Sequence, residues 1–158
     1  DSSLIARRIA TTHSLLCAAP SYLARVGLPN HPDELSQMQA IGYSYARQRD
    51  EWNFQHIPSG QTARVTVPTH MQVNNGDTIR LAALSGMGVI LQPSFLVGDD
   101  LKAGRLVQLL PDWQGPTYGV YALYPSRKHL SAKVRVLVDY LQHAFGAAAE
   151  QDPWCSLA

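Results

Sequence analysis

Only two cysteines, Cys17 and Cys155, occur among the 158 residues. Two isolated thiols make no disulfide framework, which points to a reducing, cytoplasmic setting. An excess of charge of either sign is also missing: 13 Lys and Arg against 12 Asp and Glu leave a formal net charge of +1. A surface that tracks a phosphate backbone needs clustered Lys and Arg, so the charge gives no strong argument for nucleic-acid binding. No apolar run approaches the roughly 18 to 20 residues of a spanning helix, and no membrane partner is expected. The opening residues, DSSLIARRIA, lack both an initiator Met and the charged-then-apolar order of a signal peptide. They read as the interior of a longer protein. With 46% hydrophobic residues the chain is globular, long enough for one ordinary domain or two small lobes.

Catalytic motifs are absent too. The six histidines, His13, His31, His56, His70, His129 and His143, form no i, i+4 pair and flank no Cys or carboxylate at ligand spacing, so no metal is expected. Ser85 in LSGMG lacks the G-x-S-x-G spacing of a nucleophile elbow. Gly86 and Gly88 form a G-x-G, but after a helix rather than a strand, the wrong context for a dinucleotide loop. Asp50-Glu51 and Asp99-Asp100 read as solvated loops rather than acid–base pairs. No catalytic residue and no cofactor are assigned, and the chain is not read as an enzyme.

What is present is alternation of strands and helices. SLLCAA (14–19) has strand length and composition, and Pro20 ends it. Ser21 can cap a short helix, Tyr22–Val26, stopped by Gly27. Pro32–Leu35 offers one helical turn, Ile41–Tyr45 and Trp52–Phe54 read as strands around a charged loop, Arg47–Glu51, and Ala63–Val67 alternates with period two. Thr69–Val73 continues extended. Asn74 or Asn75 can cap the next helix, Asp77 suits its positive end, and Ile79, Ala82, Ala83 and Gly86 make a narrow face of small residues. Gly86 and Gly88 are read as its left-handed stop, Val89–Leu91 as a buried strand, and Phe95–Ala103 as a second helix ended by Gly104. Leu106–Leu110 and Gly119–Tyr124 read as further strands. The last helix is capped by Ser131, carries Val134, Leu137, Val138, Leu141 and Phe145 on one face, and ends at Gly146. The pattern is α/β, with a sheet covered on both faces. In such folds ligands meet free N–H groups at helix starts beyond the carboxyl ends of strands. The turn Asn74–Asp77 is the best candidate, and local sequence leaves open whether it is an ordinary cap.

Three strings in order carry a resemblance. G-D-x-x-R-x-A-A-L-x-G-x-G spans 76–88, L-x-x-G-R-L-V-x-L-L-P-D-W spans 101–113, and Y-A-L-Y-P-S-R-x-H-L-S-A-K-V-R spans 121–135. Together with CAAPSYLARVGLPNHPDEL and IGYSY they closely resemble the effector-binding domain of LysR-type transcriptional regulators, over residues 1 to about 146. Met38 stands where the family's D-L-x-x-H segment has its His, read here as a loop change of little consequence.

The resemblance implies a periplasmic-binding-protein-like, two-lobe α/β domain closing on a small effector. It places a partial first lobe at 1–18 and 121–147, a complete second lobe at 19–120, and a tail at 148–158. It implies that the effector meets Ala19, Pro20 and Ser21 at the first crossing, Tyr43 and Ser44 at a strand end, Asn74, Asn75 and Gly76 at a helix start, and Tyr121 on the returning strand. Those groups suit a small organic anion or polar aromatic compound. Operator contact would belong to a winged helix-turn-helix for which these residues have no counterpart. An uncovered first-lobe face would favour a homodimer or larger assembly. Alternatives are a stand-alone binding module and a non-functional remnant.

Overall fold

The computed structural model describes residues 4–46, 50–125, 131–145 and 151–155. The chain order is β1 (Leu4–Ala18), α1 (Pro20–Val26), a 3-10 helix (Pro32–Gln37), β2 (Ala40–Tyr43), β3 (Glu51–His56), β4 (Thr62–Thr66) and β5 (Thr69–Val73). There follow α2 (Gly76–Leu84), β6 (Ile90–Pro93), α3 (Ser94–Lys102), β7 (Val107–Gln108), β8 (Trp113–Gln114), β9 (Thr117–Pro125) and α4 (Ala132–Ala144). Two compact units are formed: Asp1–Thr12 with Thr117–Ala158, and His13–Pro116. The divisions lie a few residues from the 18/19 and 120/121 boundaries read in the sequence. The reason is pairing: Ser14 to Ala18 bond to β6 and β7 and so belong to the sheet of the larger unit.

In the larger unit β1 runs antiparallel to both β6 and β7, with Cys17 opposite Ile90 on one side and Gln108 on the other. β2 and β5 are parallel, Tyr43 opposite Val73, and a parallel bridge from Ala40 to Val89 ties β2 to the approach of β6. A separate antiparallel set, β4–β3–β8, pairs Trp52 with Val65 and His56 with Trp113. The core between these layers contains Leu16, Tyr22, Leu35, Trp52, Phe54, Val67, Val89 and Leu109. Met38 is part of it: it closes the 3-10 helix and is buried, a core position rather than a loop change.

α2 lies on the sheet through two alanines and one large side chain: Ala83 and Ile79 are fully buried and Ala82 nearly so. Its two trailing glycines serve different ends. Gly86 takes the left-handed conformation that stops the helix (φ 74°). Gly88 does not. A Cβ on Gly88 would collide with the backbone carbonyl oxygen of Gln39, so it is needed for close approach of two strands, not for the cap. Gly27 and Gly104 end α1 and α3 with φ 87° and 68°.

Other expectations shift for identifiable reasons. The expected six-residue strand at 14–19 is the end of a fifteen-residue one, whose first half is mostly exposed and so carries no hydrophobic signature. The strand expected at Leu106–Leu110 keeps only two residues, because Leu110 turns left-handed (φ 49°). β8, two residues long, is too short to leave a periodic trace. Asp100 is no solvated loop residue: it lies on α3, wholly buried.

In the smaller unit β9 pairs with β1, and Arg7 on β1 meets Asp139 on α4 at 3.3 Å, an exposed pair. Phe145 packs against Trp154, ring centres 5.4 Å apart, so this part of the tail is seated. Ser131 precedes α4 as expected, but its side chain makes no capping bond. Of the apolar face read on α4, Val138 is buried while Leu137 is 56% exposed. Residues 47–49 of the expected charged loop, and the expected helix stop at Gly146, lie outside the described residues.

The Gly88→Ala substitution is expected to lower stability by about 1–3 kcal/mol, as for overpacked sites, because the obstacle is backbone and cannot rotate away. Urea unfolding of the variant against the parent measures it.

Candidate functional site

Parallel pairing sets which residues meet. Because β2 and β5 run together, their carboxyl ends are adjacent, and the N–H of Ser44 donates to the carbonyl of Val73 at 2.9 Å. Tyr43 and Ser44 are thereby placed beside Asn74, Asn75 and Gly76, the start of α2. β6 runs the same way as β2, so its end at Pro93 and the start of α3 lie at this end of the sheet too. Two nine-residue helices therefore begin where three strands end.

Each start is built differently. The side-chain oxygen of Asn75 accepts from the N–H of Thr78 at 3.0 Å and lies 3.3 Å from the Thr78 hydroxyl, so the cap read at Asn74 or Asn75 belongs to Asn75. Asp77 occupies the first turn. α3 starts after Pro93, which offers no side-chain acceptor, and its first turn contains no acidic residue. The N-terminal N–H groups of both helices face the end of the sheet with the positive end of the helix dipole.

Ala19, Pro20 and Ser21 are not brought to this place. β1 is antiparallel to β6, so its end at Ala18 lies beside the beginning of β6. Ser21 sits against Gly86 beyond the far end of α2, where a Cβ on that glycine would stand 2.7 Å from the Ser21 hydroxyl. Arg25 of the same helix donates to the Gly86 carbonyl at 2.6 Å, and the Tyr22 hydroxyl accepts from the N–H of Gln39 at 2.9 Å. These residues seat α1 on the body of the unit. They are separated from Asn75 by the length of α2, roughly 13 Å at 1.5 Å per residue. Tyr121 belongs to the other unit, half-exposed on β9, with its ring over Gly119.

The structure adds residues that the sequence reading passed over. Gln92 on β6 is 6% exposed, and its side-chain oxygen lies 3.5 Å from where a Cβ on Gly76 would be. Ser14 pairs with Pro93 in the register, and His13 Nδ1 lies 2.7 Å from Gln114 Nε2, at the same end of the sheet. Gln92 left a signal: in VILQP it takes an alternate position with Ile90, where a buried strand face is apolar.

One ion cluster holds the two helices in register. Asp100 on α3 is fully buried between Arg80 of α2, bonded through Nε, and Arg105, whose Nε donates to its other oxygen at 2.6 Å. Burial by itself pushes the Asp100 carboxyl up, but the hydrogen bonds and charges of Arg80 and Arg105 outweigh it and hold the group below the ordinary carboxylate value. The Arg80 guanidinium is raised, chiefly by its bond to Asp100.

Neither thiol is poised as a nucleophile. Burial, with Asp100 adding to it, pushes Cys17 up to about 12, and burial raises Cys155. Among the described residues no group of three or more His, Cys, Asp or Glu is placed to hold a metal, and no helix is long and apolar enough to cross a membrane.

Two outcomes follow for the helix starts. Asn75→Ala is expected to cost about 1 kcal/mol by loss of the cap, read by thermal unfolding. Asp100→Ala is expected to cost about 1.5–3 kcal/mol, the range for lost hydrogen bonds to a charged group, because Arg80 and Arg105 lose their shared partner but reach solvent. In the parent, the cluster's contribution is present above the ordinary carboxylate value of about 4 and is lost as pH falls through the lower folded-state value. The acid limb of a stability–pH curve should therefore flatten in Asp100→Ala.

Comparison with known proteins places this geometry. The LysR substrate binding domain family matches residues 1–146. The HTH-type transcriptional regulator DmlR of Escherichia coli is 34% identical over 159 residues, covering 98% of this chain and 49% of that protein. The HTH-type transcriptional regulator PtxR of Pseudomonas aeruginosa is 36% identical over 150 residues, covering 92% and 46%. The chain thus spans about half the length of these curated relatives. Among solved structures, the regulatory domain of CrgA from Neisseria meningitidis superposes with a TM-score of 0.79 at 29% identity, covering 92% of this chain and 71% of that one. Full-length AphB of Vibrio cholerae superposes with a TM-score of 0.78 at 31% identity, covering 91% and 49%. The chain belongs to the LysR substrate-binding domain family, and its α/β fold is that of the periplasmic-binding-protein-like regulatory domains of LysR-type transcriptional regulators.

Proposed function

We propose that this chain is the effector-sensing part of a LysR-type transcriptional regulator in the cytoplasm, and that it binds a small organic molecule to modulate transcription. The observation that carries the reading is the meeting of the α2 and α3 starts with the carboxyl ends of β2, β5 and β6. That is where an open α/β sheet offers unpaired N–H donors to a ligand. Tyr43, Ser44, Asn74, Asn75 and Gly76 are the proposed contacts, all within the larger unit. The larger unit corresponds to a second lobe and the smaller to part of a first. Operator binding is assigned to a winged helix-turn-helix outside these 158 residues. Relatives described as transcriptional regulators support a regulatory rather than enzymatic role.

We also propose self-association. Val136, Leu137 and Tyr140 on α4 are each more than half exposed, an apolar surface of the kind that monomers rarely leave open. Light scattering should show a dimer or larger species, and a monodisperse monomer would remove this part of the proposal.

Ligand sensing is tested by fluorescence anisotropy of operator DNA with the full-length regulator, titrated with small organic acids and aromatics. The expected result is a compound-dependent change in operator affinity that Ser44→Trp weakens. Tight operator binding indifferent to every compound would favour a defective remnant. A ligand bound by a protein that never engages DNA would favour a stand-alone module.

A further inference from the structure

We propose that the corner around Trp113 is a proton-sensitive clamp: charging His31 and His56 tightens the hold of β3 and the 3-10 helix on β8, the strand that leads out of the larger unit. Its input is the proton, independent of any effector at the starts of α2 and α3.

β8 is only Trp113 and Gln114, too short for a ladder to hold by itself, so its seating depends on side chains. It pairs with β3 in antiparallel register, His56 opposite Trp113. Beside that pair the N–H of Ile57 donates to the carbonyl of Asp112 at 2.8 Å. The His56 ring lies 4.9 Å from the Trp113 ring, centre to centre, and is tilted by 42°. The His31 ring reaches the same side chain from the 3-10 helix, 5.1 Å away and nearly perpendicular at 84°. All three side chains belong to partly buried residues, so water can deliver a proton. The larger unit ends at Pro116, three residues beyond Trp113.

A proton changes what each imidazole can do. Nδ1 of His31 has a donor and an acceptor of one residue within reach: it accepts from the N–H of Asp33 at 3.3 Å and lies 3.2 Å from Asp33 Oδ2. Neutral, this nitrogen caps the 3-10 helix. Protonated, it donates to the carboxylate instead. Nδ1 of His56 lies 2.7 Å from the Ser59 hydroxyl, which can donate to it or accept from it, so a proton enters without breaking that bond. Both rings then carry positive charge within the roughly 6 Å at which the face of an indole attracts a cation.

The charges on the neighbouring elements favour this. The first turn of the 3-10 helix carries Asp33 and Glu34, and its last turn has no basic residue. Glu34 accepts from the N–H of Asn30. Asp112 is exposed just before β8. Glu51 of β3 is already bonded to Arg64 of β4. On β1, His13 meets Gln114, the neighbouring residue. Imidazoles change charge between about pH 5 and pH 8, so the added contacts hold at the lower end of that range and are lost as the pH rises.

The test is amide hydrogen exchange followed by NMR on the full chain, at about pH 5.5 and about pH 8, corrected for intrinsic exchange. The amide read is that of Ile57, which bridges β3 to the residue before β8. The variants are His31→Asn, which keeps a capping acceptor but takes no proton, His56→Gln, and the two combined. The expected result is that protection of Ile57 in the parent is about threefold or more higher at the lower pH, the effect of one or two exposed cation–ring contacts. Each single variant reduces that ratio and the combination removes it. A second reading is indole emission, which a neighbouring imidazolium quenches: it should fall toward low pH in the parent, and Trp113→Phe should lose that fall. Protection that is equal at both pH values in the parent, or lower at the acid one, overturns the proposal. So does a ratio that both single variants leave unchanged, or emission that falls equally in Trp113→Phe.

Discussion

Fifteen residues of β1 set the frame for both units, and the pairing of their second half decides most of what lies in the larger one. With Cys17 locked between Ile90 and Gln108, β1 runs against β6 and β7, while β2 and β5 run with β6. An antiparallel strand inserted into an otherwise parallel arrangement sends its own end to the opposite edge. That is why α1 starts at one end of the sheet and α2 and α3 at the other. It is also why the residues after β1 support the body of the unit, while the residues after β2, β5 and β6 converge.

The second constraint is electrostatic. Asp100 is buried with two guanidinium partners, one from α2 and one from beyond α3. A buried carboxylate is tolerated only when it is paired and hydrogen-bonded, so the relative placement of the two helices is held by geometry as well as by apolar packing. The same carboxylate raises the barrier to ionising Cys17 on the neighbouring strand.

Much of this was legible in the residues. Helix starts and stops are local chemistry: Asn75 before Gly76, Gly86 after Leu84 and Gly104 after Lys102 act through bonds and dihedral angles within a few residues of themselves. Alternation marked β4, and helical spacing of Ile79, Ala82 and Ala83 marked the buried face of α2. β9 and α4 were read as the strand Gly119–Tyr124 and the helix after Ser131, but the start of β1 was not, because its first residues are exposed, and β8 is too short to carry a period. Gly88 and Gly86 look alike in sequence, but only a neighbouring strand shows that one is needed for a dihedral angle and the other for space.

Sequence by itself determined the family, the cap of α2 and the α/β class, since each depends on short-range patterning or on ordered motifs that survive without coordinates; the caps expected at Ser21 and Ser131 fail, Ser21 lying inside α1 and Ser131 making no capping bond. Tertiary structure decided which expected site residues stand together. Tyr43, Ser44 and Asn74–Gly76 meet because their strands are parallel. Ala19–Ser21 do not join them because β1 is antiparallel to β6. Strand direction comes from pairing between segments some seventy residues apart, here Cys17 with Ile90, and no local signal along the chain carries it. Gln92 shows the same division: its polarity is written in the sequence, but its burial exists only in the fold.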